Sequence, residues 1–177
     1  MDGGPCPVGI ESTVVSVAGP VPTILRPGSI SQDQLAEVLG IVVARPSGDP
    51  APGTALPSPG QMDRHYAPRA ALRVIEPGEE SVLVFVQSGA LVNPMPLQLG
   101  GRSYDANTAV LTRGPAEYPG ARTIRMPDDP HAYAAVLYAT LHDLDGLGLE
   151  RILVERVPDG PEWDAVRDRL RRASQGG

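Results

Sequence analysis

The sequence contains one cysteine, Cys6, which excludes an intrachain disulfide and a cysteine-rich metal site. A single Trp and a single Phe leave a largely aliphatic core, although 41% of residues are hydrophobic. No apolar run approaches the roughly 20 residues of a membrane span. The N-terminus also lacks a charged-then-apolar leader pattern. The expected compartment is therefore cytoplasmic, with no membrane partner. Basic residues are outnumbered, 15 against 21 acidic ones, for a net charge of −6. That balance disfavours a chain-wide nucleic-acid footprint, which wants clustered cations, but leaves a local basic patch open. Walker-type loops, G-x-G-x-x-G and a nucleophile elbow are all missing. His65, His131 and His142 have no ligand spacing, so no protein-bound metal is expected.

Gly and Pro, by contrast, are abundant at 20 each in 177 residues. The length suits one domain, or one domain plus part of another. Six of the prolines fall in residues 46–68, which read as an interdomain linker with extended, polyproline-like character. Its second half, Pro57 to Pro68, carries Asp63, Arg64, His65 and Tyr66 in a row. A plain spacer needs none of these, and loops over a rigid scaffold are where ligands are met. The stretch reads as a lid.

Before the linker, residues 1–45 begin in a turn-rich segment, Met1 to Gly9. Ser12–Val17 and Thr23–Arg26 read as strands from their β-branched content. Ser31 and Gln34 have capping-box spacing for a helix whose apolar face is Leu35, Val38 and Leu39, ended by Gly40. Ile41–Ala44 reads as a further strand. A helix and three short strands make a poor domain alone. Residues 69–177 change to an α/β pattern. Ala71–Ile75, Val82–Val86, Ala109–Leu111 and Arg151–Glu155 read as strands, with Thr123–Arg125 a further candidate. Asp129–Leu144 reads as a helix with Tyr133, Leu137, Leu141 and Leu144 on one face. Asp128-Asp129 supplies its cap, and Gly100-Gly101 reads as a turn. Pro161–Ala173 is a helix with Pro in its first turn and an Arg-rich end that suits the dipole. Alternating strands and helices predict a Rossmann-like, mainly parallel sheet with flanking helices.

Three candidate contact residues stand out. Ser12, in Gly9-Ile10-Glu11-Ser12-Thr13-Val14, puts a hydroxyl at a sheet mouth, where it can donate to a carboxylate or phosphate. An ordinary turn with Ser12 satisfied locally is the simpler reading of the spacing. Arg26, in Leu25-Arg26-Pro27-Gly28, offers a planar fork suited to phosphate; a solvated surface Arg is the alternative. Tyr66 can stack on a base and hydrogen-bond, while His65 reads as an anchor of the linker.

Taken together, Asp2-Gly3-Gly4, Gly9-Ile10-Glu11-Ser12-Thr13-Val14-Val15 and Leu25-Arg26-Pro27-Gly28 resemble the end of a YrdC-type domain. Pro59-Gly60 and Arg64-His65-Tyr66-Ala67-Pro68 resemble the interdomain segment of the two-domain threonylcarbamoyl-AMP synthases. The order and spacing match along essentially the whole chain. The resemblance implies a remnant of a YrdC-like α/β domain over residues 1–45, the linker, and that family's Rossmann-like C-terminal domain. It further implies condensation of L-threonine, bicarbonate and ATP into threonylcarbamoyl-adenylate, with release of pyrophosphate, in tRNA modification. ATP enters as substrate, accompanied by Mg, and tRNA is served only indirectly. By motif, Ser12 would contact threonine, Arg26 the ATP phosphates and Tyr66 the nucleotide; no catalytic residue is assigned. The family's Lys-x-Arg and Ser-x-Asn motifs are expected upstream of Met1. The chain alone is therefore expected to be inactive. The alternative is a non-catalytic module that docks on a separate YrdC-like protein.

Overall fold

The computed structural model describes residues 8–45, 67–77, 106–116 and 118–175. Tyr66, His65, the rest of the lid up to Tyr66, Val82–Val86 and Gly100-Gly101 lie outside the described residues.

Four strands make a parallel sheet: β3 (Ala71–Ile75), β4 (Thr108–Thr112), β5 (Arg122–Arg125) and β6 (Arg151–Glu155), in the order β3-β6-β4-β5. Leu72 pairs with Ile152 and Ile152 with Ala109; two residues on, Val154 pairs with Leu111 and Leu111 with Ile124. This two-residue period sends Leu72, Ala109, Leu111, Ile152 and Val154 to one face, where they form the main core. Leu153, Val110 and Ile75 point to the other face and pack with Tyr118. The parallel α/β sheet with flanking helices is thus as the sequence implies.

Two helices cover the main core. α2 (Pro130–Asp145) starts where the Asp129 carboxylate accepts from the Ala132 N–H at 2.8 Å. Pro130 occupies the first turn, where its missing N–H is not needed. Tyr133, Leu137, Leu141 and Leu144 are all buried, as their spacing predicts. α3 (Asp164–Ser174) is shorter than the helix expected from Pro161. Pro161–Trp163 instead makes a 3-10 turn, closed by Trp163 N–H donating to Gly160 O at 3.0 Å. The tighter turn delivers Trp163 into the core, edge-on to Tyr133 at 5.6 Å.

The N-terminal elements form a separate layer. β1 (Val14–Ser16) pairs antiparallel with β2 (Thr23–Arg26), with an irregularity at Val14/Val15. α1 (Gln32–Leu39) has the full capping box: Ser31 Oγ accepts from Gln34 N–H, and Gln34 Oε1 from Ser31 N–H. Gly40 caps its end in the left-handed region, φ +66.

Two expectations need correction. Ile41–Ala44 is not a strand but a single bridge, Ala44 to Thr23; the Val43 carbonyl is taken instead by the Gln32 side-chain amide at 2.5 Å. And α1 buries none of its residues among those described: Val38 is 84% exposed, as Val17 (76%) and Val42 (78%) are outside it.

The layer docks on α2 and α3 through a close backbone approach. Gly9 has φ +68, and a Cβ there would overlap the Ala135 Cα and the Ala134 carbonyl. Ile10 then packs against the main core. Only glycine suits both demands.

Candidate functional site

Ser12 and Arg26 are brought together. Arg26 ends β2 opposite Val14, and its guanidinium reaches back over the loop that precedes β1. Nε and Nη2 donate to the Ser12 carbonyl at 3.2 and 3.1 Å, and Nη2 to Ser12 Oγ at 3.5 Å. The fork geometry of Arg allows this two-point grip, which a Lys point charge cannot make.

The following turn is pinned to the same loop. Thr13 Oγ1 donates to Ile30 O at 2.8 Å and accepts from Ile30 N–H at 3.1 Å. Gly28 lies against the loop backbone; a Cβ would sit 2.5 Å from the Ser12 carbonyl carbon and 2.6 Å from Glu11 O. The Arg-Pro-Gly sequence therefore has a reason at each position: a fork, a fixed φ, and no side chain.

Glu11 is the anionic member of the group. Its Oε2 accepts from Arg169 Nε at 2.7 Å and from Tyr138 OH at 3.3 Å. Burial pushes its pKa up, but its own backbone N–H and the charges of Arg169 and Arg26 win, leaving it below the ordinary value. A cavity of about 260 Å³ opens beside the turn, lined by Ile10, Gly28, Ser29, Ser31 and Gln34 on one side and by Pro130, His131, Ala134 and Glu162 on the other. Among the described residues no His, Cys, Asp or Glu cluster has the form of a metal site. No helix among them is long and apolar enough to cross a membrane.

A second polar cluster sits at the C-terminal end of the sheet. Glu155, 4% exposed, accepts from Tyr118 OH at 2.5 Å, Thr112 Oγ1 at 2.6 Å and Arg113 N–H at 3.3 Å. Burial raises its pKa, yet these donors hold it below the usual carboxylate value. Arg113 lies over the Trp163 ring, 5.0 Å from its centre.

The family described as "Threonylcarbamoyl-AMP synthase, C-terminal domain" matches residues 30–175. The chain belongs to the threonylcarbamoyl-AMP synthase family. It is 32% identical over 177 residues to the threonylcarbamoyl-AMP synthase of Bacillus subtilis (strain 168), covering 99% of this chain and 48% of that protein. The crystal structure of P. abyssi Sua5 complexed with L-threonine superimposes with a TM-score of 0.69 at 26% identity, covering 98% of this chain and 48% of that one. A P. abyssi Sua5 variant with a His and the Tyr after it changed to Ala gives 0.68 at 25%, covering 98% and 47%. The chain thus spans about half the length of the threonylcarbamoyl-AMP synthase relatives it matches.

Of the three residues singled out by sequence, Ser12 and Arg26 are in contact and Tyr66 lies outside the described residues. Sequence reasoning passed over Glu11 and Arg169. Glu11 sits inside the Gly9–Val15 motif, and in sequence Arg169 is one of several arginines at a basic helix end. Glu155 was missed as well, since it looked like the last residue of an ordinary strand.

Proposed function

We propose that these residues are the C-terminal portion of an L-threonylcarbamoyladenylate synthase, which joins threonine, bicarbonate and ATP into threonylcarbamoyl-AMP and pyrophosphate for tRNA modification. The observation that carries the reading is the Ser12–Arg26 contact, in a chain aligned almost end to end with synthases. In this reading the Ser12 hydroxyl meets the threonine moiety and Arg26 the phosphates of ATP, which arrives with Mg. Tyr66 closes over the nucleotide. An enclosed site would keep water from a labile mixed anhydride. The His65-Tyr66 pair gains weight from the solved P. abyssi variant in which a His-Tyr pair is altered.

The 177 residues include no lysine, so the family's Lys-x-Arg motif is not among them. We therefore assign the chain no activity by itself. The test supplies ATP, threonine and bicarbonate to the chain alone and to the chain preceded by a YrdC-type segment with both motifs. Pyrophosphate release is expected only in the second case. Release by the chain alone would overturn the division of labour, and none in either would overturn the function.

The exposed Val17, Val38 and Val42 favour a second reading, a non-catalytic module docked on a separate YrdC-like protein. Tight binding to such a protein without any gain in pyrophosphate release would favour it.

A further inference from the structure

We propose that Arg169 of α3 is a positioning residue for the Ser12–Arg26 pair, acting through Glu11 and the Pro27 carbonyl. The inference rests on the functional reading above for the roles of Ser12 and Arg26, but its geometry stands apart from that reading. Arg169 Nε donates to Glu11 Oε2 at 2.7 Å, and Nη2 donates to Pro27 O at 3.3 Å. One guanidinium therefore touches the residue just before Ser12 and the residue just after Arg26. Those two flanks are the loops that the Arg26 fork draws together.

The side chain is built for precision. Arg169 is 4% exposed, and a charge so deep is tolerated only when it is matched on all sides. Its Nη1 is held from behind by Asp168, which in turn accepts from Arg172 Nε at 2.9 Å. The same Glu11 oxygen, Oε2, also accepts from Tyr138 OH of α2 at 3.3 Å. The result is a rigid strut from two helices to both sides of the candidate site. The planar fork holds Nε and Nη2 at a fixed separation that matches the two acceptors, a geometry that the single ammonium of lysine does not reproduce.

A residue that merely held the layers together would act otherwise. Arg45 with Asp164 is such a tether: it joins the same layer to the same helix, but touches neither flank of the pair. Arg45→Gln is thus the control for docking alone.

The experiment follows the Arg26 Nε–H signal by nitrogen-15 NMR in the full chain. In Arg169→Lys and Arg169→Gln its exchange should quicken about tenfold, the scale of one lost charge-assisted bond, and its shift should move. Trp163 fluorescence and the amide exchange of β4 and β6 should stay as in the unaltered chain. Glu11→Gln keeps Arg169 in place and should give a smaller change of the same sign. Arg45→Gln should leave the Arg26 signal where it was. An unchanged Arg26 signal in both Arg169 variants would overturn the proposal, and so would an equal effect of Arg45→Gln. With the YrdC-type segment in place, Arg169→Lys should raise KM for threonine about tenfold and leave kcat within about twofold. If the unaltered protein releases no pyrophosphate there, the functional reading fails, and the Arg26 signal alone decides whether Arg169 positions the pair.

Discussion

At the scale of single residues, Glu155 and Gly28 show how little freedom this fold leaves. The Glu155 carboxylate is buried among Thr112, Tyr118 and the Arg113 amide. Glu155→Gln keeps the shape but turns an acceptor into a donor facing donors, so unfolding in urea should show a loss of about 2 kcal/mol. The pH dependence has a definite sign. A carboxylate held below its ordinary value of 4.5 contributes stability that is complete above that pH and lost as pH falls through the lower folded-state value. The variant should therefore have a shallower fall in stability below about pH 4.5. Glu11 is shifted the same way and would leave some acid sensitivity. An unchanged acid limb would show that Glu155 carries no such linkage. At Gly28 the demand is steric, since a methyl would press on the Ser12–Thr13 backbone. Gly28→Ala should part the two loops at a cost of about 1–3 kcal/mol, seen as rapid exchange of the Ile30 amide, which donates to Thr13.

At the scale of elements, legibility followed how local the cause is. The α1 start was readable because Ser31 and Gln34 make both cap bonds within four residues. Ser31→Ala should weaken that helix by about 1 kcal/mol, measured as faster exchange of the Gln34 amide. The burial of Tyr133, Leu137, Leu141 and Leu144 was equally readable, since one helix period places them together. Ile41–Ala44 was not, because the Gln32 side chain of α1 takes the Val43 carbonyl and leaves only Ala44 to bridge to β2. The start of α3 failed for a similar reason: Pro161 does open a turn, but packing of Trp163 on Tyr133 tightens it to 3-10. The candidate site divides the same way. Ser12 and Arg26 could be picked out from motif chemistry, whereas Arg169 joins them only through a contact across 158 positions.

On the scale of the whole molecule, the two layers differ in what holds them. The parallel sheet and its two helices share a continuous core from Ala70 to Ala173. Among the described residues, the hairpin, α1 and the segment after it bury only Pro22, Ile24 and Val43, and lean on the larger layer through Gly9, Ile10, Glu11, Pro27 and Arg45. A few ion pairs and hydrogen bonds with one packed Ile contribute less than a continuous apolar core, so the smaller layer should open first. Native-state hydrogen exchange on the full chain should find the amides of β1, β2 and α1 at least tenfold less protected than those of β4 and β6, about 1.4 kcal/mol or more. A shortened chain, Arg69–Ala173, should then unfold in a sharper transition than the full chain, because it loses the part that opens early. Equal protection in both layers would refute this, and would mean that the Arg169 strut and its neighbours bind the layers into one cooperative unit. Covering Val17, Val38 and Val42 with a YrdC-type segment should raise protection in the smaller layer and leave the sheet unchanged, since those side chains lie outside the main core.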